Sequence, residues 1–565
     1  MDFDEVFELL GEFGPYQKRI YFFLCVQVIA CACQTFSVIF TGAIPHFRCS
    51  IPGLDNDTYE IQDENHQELV DAYIPVKLGK LGEEYQSCSL YNHYNTSVGN
   101  WSTVGNLTQD ACYDWVYDKS IFRTTVTEEM GLVCNNIVKR SHLPMFYILG
   151  SLFGSFGIGT LSDWFGRKTL LYITIIGQLV VGTASAWVTN FTALALCRFM
   201  LGISGVGCFL AGFSLGMELV APSKRVWTGI IIEVFYTFGE MLLAGVAYFV
   251  RDWRYLQMAI SLPAILFLPY WWIIPESPRW LLTKGRRKQA YAVIQKAAVV
   301  NKVRLPPGLL DRQVQVKEAP KSKIWLLFSR KILLVRSVVL FFNWCVCSLV
   351  YYGLTLNSGY LYGDLHLNFF LSVLTEFISY CLCIPLLDRL GRRTLHCSAM
   401  LTSGLACCST ILTVLYLPED RQWVTTILAM VGKLGASAAF AVVFIYSSEI
   451  FPTILRSGGV GIGSMFARIG ALAAPYIADL GVLIGGNLGL GLPLLVFGLG
   501  SVAAGAAALT LPETLNRPLP ETIEDAVNLG RKFSSERNGT YDVHFMELTV
   551  LDIGTSVEDT EEDLH

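Results

Sequence analysis

The chain has 565 residues, of which 53% are hydrophobic and 16% charged, with a formal net charge of −5 and a mean hydropathy of +0.45. Soluble proteins carry about 25% charged residues, so this composition excludes a string of water-soluble domains and points to a membrane protein. The small net charge, with no stretch combining basic and aromatic residues, speaks against a nucleic-acid partner.

The chain opens on Asp2, Asp4, Glu5 and Glu8 without a basic stretch or a small-residue cleavage site, so no removable signal peptide is expected. A membrane-crossing helix needs about 20 mostly apolar residues to traverse about 30 Å of hydrocarbon. Twelve such segments lie near 20–43, 143–162, 168–189, 192–217, 226–250, 254–274, 333–354, 367–387, 394–417, 423–447, 457–480 and 488–511. They divide the chain into an N-terminal six-helix half (1–274), a linker (275–332), a C-terminal six-helix half (333–511) and a tail (512–565).

Residues 45–141, between the first two segments, are acidic and carry sequons at Asn56, Asn95, Asn100 and Asn106, together with Cys49, Cys88, Cys112 and Cys134. An extracellular, glycosylated loop with two disulfides fits these features, and three pairings remain open. Asn190 also reads as a sequon but sits too close to a helix end to be a good acceptor. The stretch 275–336 holds fifteen Lys and Arg against three acids, which predicts a cytoplasmic linker. Arg167 and Lys168, Lys224 and Arg225, and Arg392 and Arg393 fall on the same side in a twelve-span count, so both termini are expected inside.

Internal repetition is the most informative signal. Asp163-Trp164-Phe165-Gly166-Arg167-Lys168 after the second segment is matched by Asp388-Arg389-Leu390-Gly391-Arg392-Arg393 after the eighth. Glu218 and Arg225 after the fourth are matched by Glu449 and Arg456 after the tenth. Pro275-Glu276-Ser277-Pro278-Arg279-Trp280 after the sixth is matched by Pro512-Glu513-Thr514 after the twelfth. Three signals in register predict a duplicated six-span unit. Acids at one helix end that pair with Arg of a neighbour form a conformational charge network there, or simply static links between helices. Two such halves with a long connector suit rocking about a site near the bilayer midplane.

The paired Asp-x-x-Gly-Arg loops, the Glu–Arg pairs and Pro275–Trp280 resemble the major facilitator superfamily. Gly11-Glu12-Phe13-Gly14-Pro15-Tyr16-Gln17, the cysteine-bearing loop, and Pro512-Glu513-Thr514-Leu515 running to Pro520-Glu521-Thr522 resemble its organic cation, anion and zwitterion (carnitine) transporters, from about residue 9 to 528. The resemblance implies an all-α membrane protein of twelve helices in two halves, at the plasma membrane, moving a small organic solute by alternating access. Trp164 stands where such proteins commonly have Arg.

Ionisable groups inside the spans cost several kcal/mol in lipid unless they face a cavity or a partner. Glu233 and Glu240 lie seven residues apart on one helical face, with Glu376 and Arg468 in later spans. Carboxylates attract an organic cation and a guanidinium attracts a carboxylate, so together they suit a solute bearing both charges. In the family resembled, the position of Arg468 carries Arg in anion and carnitine transporters and Asp in typical cation transporters, and that of Glu376 is acidic in the cation and carnitine branches. The plainer alternative is an internal ion pair of Arg468 with Glu376 or Glu240.

Trp344, Tyr351, Tyr352, Tyr236, Phe444 and Tyr446 are candidates for cation–π contact with an amine, and Trp344 and Tyr352 match aromatic positions that line the family's cavity. Lys433 and Arg198, at equivalent places in the two halves, read as structural partners. The sequence has no phosphate-binding Gly-x-x-x-x-Gly-Lys-Ser/Thr loop, no His-Glu-x-x-His and no metal cluster, so an enzyme is not expected. No cofactor is expected beyond a possible coupling ion, Na+ or H+. A non-transporting receptor or scaffold and an organic anion transporter are the competing readings; oligomeric state is not legible.

Overall fold

Long apolar runs with few charges can satisfy their backbone groups inside a membrane only as helices, and twelve helices of that kind form among the described residues. A computed structural model describes residues 9–78, 83–91, 109–221, 224–304, 324–453, 455–484, 486–517 and 519–530. We label the spans α1 (Pro15–Thr41), α2 (Cys134–Phe165), α3 (Arg167–Ser185), α4 (Phe191–Glu218), α5 (Thr228–Phe249), α6 (Trp253–Ile273), α7 (Lys331–Tyr360), α8 (Leu365–Leu390), α9 (Arg392–Tyr416), α10 (Trp423–Ile450), α11 (Gly458–Gly481) and α12 (Gly491–Ala508).

Two elements depart from the sequence reading. Helix α2 begins about nine residues earlier than expected, taking in Lys139, Arg140 and His142, whose charges mimic a loop. Helix α6 is composite: an α-helix over Trp253–Ser261, a 3-10 stretch over Leu262–Phe267 and a last α turn over Tyr270–Ile273. Pro263 and Pro269 lack the N–H that a continuous helix needs. Asn190 caps α4 by accepting from the Ala193 N–H at 2.8 Å.

Packing follows the duplication. Helix α1 lies on α5 as α7 lies on α11, α2 on α4 as α8 on α10, and α3 on α4 as α9 on α10. The halves meet through α2 against α11 and α5 against α8, the same pair of helices exchanged. Close approach needs small residues: a Cβ on Gly150 would stand 2.0 Å from the Phe199 carbonyl, and one on Gly202 2.0 Å from that of Tyr147.

The loop domain after α1 contains a short helix, Glu64–Tyr73, and three two-stranded antiparallel pairs: Phe47–Cys49 with Trp115–Tyr117, Val76–Leu78 with Glu83–Tyr85, and Ser89–Tyr91 with Gln109–Ala111. Disulfides Cys49–Cys112 and Cys88–Cys134 select one of the three pairings. At its centre Arg48 binds Asp57 at 2.5 Å, and His66 lies 3.0 Å from the same carboxylate. Burial opposes ionisation of Asp57, yet bonds from Arg48 and the Ile51 N–H outweigh it and hold the carboxyl below its usual range. Asn56 is exposed on this domain; Asn95, Asn100 and Asn106 lie outside the described residues.

Candidate functional site

The repeated loops build the same network twice at the linker end of the bundle. Arg167 Nε donates to Glu218 at 3.3 Å and Arg392 Nε to Glu449 at 3.1 Å; the second guanidinium arm reaches the Ser162 carbonyl in one half and the Leu387 carbonyl in the other, both at 3.2 Å. The Glu276 carboxylate accepts the N–H groups of Arg167 and Lys168 at 3.0 and 3.1 Å, and Glu513 accepts those of Arg392 and Arg393 at 2.9 and 3.1 Å. Each acid thus caps the positive end of a span. Gly166 and Gly391, at φ 102° and 85°, leave room for it, since a Cβ would fall 2.3 and 2.7 Å from the carboxylates. Burial raises the Glu276 carboxyl against the pull of those N–H groups.

Asp163 and Asp388 are exposed and reach the arginines of their own loops at 2.8 and 3.7 Å. Arg225 lies at the start of the helix that becomes α5. Arg456 is half-buried within electrostatic reach of Glu449, its Nε and Nη2 without a hydrogen-bond partner, and Arg279 sits in the short helix Pro278–Thr283. The network links named here join residues of one half.

Midway through the bundle a second set of charges spans both halves. Glu376 of α8 and Lys433 of α10 lie 3.0 Å apart, each only 1% exposed. Tyr351 and Tyr380 donate their hydroxyls to Glu376 at 2.9 and 3.1 Å. Lys433 also donates to Thr355 at 2.6 Å and stands 3.4 Å above the Tyr351 ring, a cation–π contact. Glu240, from α5 of the other half, is wholly buried with both oxygens unbonded, within electrostatic reach of Glu376, Lys433 and Glu233. Glu233 is half-buried two turns away.

Arg468 of α11 donates to the carbonyl and hydroxyl of Ser464 at 3.0 and 2.6 Å; its Nε is buried and unbonded, and no carboxylate among the described residues pairs with it. Its electrostatic neighbour is Tyr352, which in turn faces Glu240, Glu376 and Glu233. The internal pair considered for Arg468 is therefore formed instead by Lys433, because α10 rather than α11 brings a cation to Glu376. Tyr352 stacks on Phe36 of α1 at 5.8 Å, and Tyr351 on Phe440 at 5.4 Å. Phe209 and Tyr236 meet edge-on at 6.0 Å.

Two expected aromatics stand apart from this group. Tyr446 is fully buried, its hydroxyl donating to the Pro512 carbonyl at 2.7 Å, because its place on α10 falls at the linker end. Trp344 is buried among α10 and α11 with Nε1 bonded to Ser447 at 2.8 Å and Phe444 meeting it in a T-shaped contact at 4.3 Å. Arg198 binds Ser37 and Thr41 hydroxyls at 2.9 and 3.1 Å.

The loop-domain end holds a group that the sequence did not disclose. Arg140 of α2 lies 2.6 Å from Asp479 of α11; Ser141 and Tyr360 donate to the same carboxylate at 2.5 and 2.7 Å, and Arg140 Nε donates to the Gly42 carbonyl at 2.6 Å. Arg140, Tyr360 and Asp479 border a cavity of about 70 Å³ between the halves, shared with Pro144, Leu356 and Pro475. A charge pair across the α2–α11 contact holds the halves together at this end. Asp479→Ala should leave Arg140 uncompensated, at a cost of about 3–5 kcal/mol. Hydrogen exchange over 134–144 and 475–484 should rise at least about tenfold in nanodiscs; unchanged exchange would remove the latch.

A family model described as sugar (and other) transporter matches residues 118–526. An organic cation transporter protein of Drosophila melanogaster is 37% identical over 563 residues, covering 97% of this chain and 99% of its own. The human organic cation/carnitine transporter 2 is 32% identical over 544 residues, covering 94% of each. Among solved structures, a partially occluded inward open xylose transporter XylE from E. coli matches 89% of this chain and 100% of its own at TM-score 0.59 and 15% identity. The major facilitator superfamily proton:xylose symporter XylE matches 70% of this chain and 90% of its own at TM-score 0.52 and 20% identity. These likenesses place the fold in that superfamily.

Proposed function

This chain belongs to the organic cation and carnitine transporter branch of the sugar (and other) transporter family, a multi-pass membrane transporter rather than an enzyme, and we propose that it moves small organic cations or zwitterions by alternating access. The observation that supports this reading is the mid-bundle group of Glu233 and Glu240 from one half with Glu376, Lys433 and Arg468 from the other. An ammonium group is drawn by the carboxylates and by the faces of Tyr351 and Tyr352, and a carboxylate by the free hydrogens of Arg468. Lys433 neutralises Glu376, so Glu240 and Glu233 supply the attraction for a cation. Because the group draws on both halves, a bound solute favours their approach, and rocking about it exposes it to one side and then the other. Arg140–Asp479 closes the loop-domain end, and the two capped arginine networks stiffen each half at the linker end.

The linker's basic excess supports a topology with both termini cytoplasmic, and the sequons and disulfides support an extracellular loop domain and with it a plasma-membrane location. The driving force is the solute's own gradient or a coupled ion, Na+ or H+. Purified protein in liposomes should take up tetraethylammonium and L-carnitine by a saturable route, each competing with the other, and leave p-aminohippurate outside. Absence of flux for all three would favour a non-transporting receptor, and uptake of p-aminohippurate alone an anion transporter.

A further inference from the structure

The charges around Glu240 do not balance. From its own half, Cys33 of α1 and Glu233 and Tyr236 of α5 face it. From the other half come Tyr351 and Tyr352 of α7, Glu376 and Tyr380 of α8, and Lys433 of α10. The single cation in that set, Lys433, already stands 3.0 Å from Glu376, and the Tyr351 hydroxyl, which also lies within reach of Glu240, gives its one proton to Glu376, as does Tyr380. Glu240 is left wholly buried with neither oxygen bonded.

A carboxylate so placed cannot stay ionised alone, because removing it from water without a partner costs several kcal/mol. Some positive charge must accompany it. Lys433 is committed to Glu376, and a carboxylate with neither oxygen bonded offers no shell of ligands for a larger cation; a proton needs none, and it accompanies Glu240 when no solute is bound. Counted over the mid-bundle group, three carboxylates (Glu233, Glu240, Glu376) stand against two cations (Lys433, and Arg468 beyond Tyr352). One proton on Glu240 makes the set neutral.

We propose that Glu240 is a proton site whose proton leaves when an organic cation enters, so that cation and proton are exchanged across the membrane; this rests on the transport reading above. The O–H bond of Glu240 breaks with its electron pair staying on the carboxylate, the proton passes to water on the side then open, and the ammonium takes its place as counter-charge. On the opposite side the cation departs and a proton from that side rebinds. Nothing is oxidised or reduced. A zwitterion brings no net charge, so it enters with Glu240 still protonated and moves without proton exchange.

The test is titration calorimetry of the purified full chain with tetraethylammonium in two buffers of equal pH and unequal ionisation heat. Up to one proton should be released per cation, with affinity rising as pH rises by up to about tenfold per unit while Glu240 remains protonated. L-carnitine should release none. In Glu240→Gln, proton release and the pH dependence of tetraethylammonium affinity should both vanish. Wild-type liposomes at clamped voltage give a second reading: an acid interior should speed tetraethylammonium uptake several-fold and leave L-carnitine uptake unchanged. Tetraethylammonium binding with buffer-independent heat, or proton release that persists in Glu240→Gln, overturns the proton site while transport stands. Failure of both solutes to bind overturns the transport reading and this inference with it.

Discussion

Lys433→Met should sharply reduce the yield of folded protein, and Lys433→Met combined with Glu376→Gln should restore most of it. The two side chains stand 3.0 Å apart at 1% exposure, and Lys433 is held further by Thr355 and by the ring of Tyr351. Removing one member of such a pair leaves the other charge buried alone, which costs about 3–5 kcal/mol. That is a large share of the roughly 5–15 kcal/mol by which a folded protein exceeds its unfolded state. Removing both leaves a neutral site of nearly the same volume, in which the Tyr351 and Tyr380 hydroxyls can still donate to the amide oxygen that replaces a carboxylate oxygen. Monodisperse yield by fluorescence-detected size exclusion, with the melting temperature in detergent, reads both variants. A single variant as stable as the wild type would show that the pair is not a dry one.

The sequence made the spans legible because a lipid-crossing helix is a local property: its length and apolar content lie in consecutive residues. The twin loops were legible for the same reason, since Gly166 with Arg167 and Gly391 with Arg392 recur at fixed offsets from the span ends. The role of Glu276 and Glu513 as caps was not, because it depends on a chain turn bringing a carboxylate back about 110 residues later onto the N–H groups of α3. Mid-bundle charges could be named but not paired. Sequence puts Glu376, Lys433 and Arg468 on three separate helices, and helix tilt and rotation decide that α10 presents its cation to α8 while α11 turns Arg468 toward Tyr352. Tyr446 shows the same limit, since its depth along α10 puts its hydroxyl on Pro512. Asp479, an acid near the end of α11, gave no local sign of its partner; Arg140 lay in what read as loop, and only the early start of α2 brings the two together.

Arg468→Ala should lower affinity for L-carnitine by about 10- to 150-fold and leave that for tetraethylammonium within about threefold. The guanidinium has a buried Nε with no hydrogen-bond partner, and its bonds to Ser464 use one Nη. A carboxylate arriving there gains charge-assisted hydrogen bonds worth about 1.5–3 kcal/mol, which sets the expected range. A quaternary ammonium gains nothing from Arg468 and is repelled by it, so its binding should hold or improve. Glu376→Gln carries the same folding penalty as Lys433→Met, and in the protein that does fold it should act in the opposite sense: Lys433, its counter-charge gone, opposes tetraethylammonium, while the carboxylate of L-carnitine still finds Arg468. Competitive uptake of the two solutes in one preparation, normalised to surface protein, separates these effects. Equal losses for both solutes in both variants would mean that Arg468 and Glu376 hold the bundle together rather than sort solutes by charge.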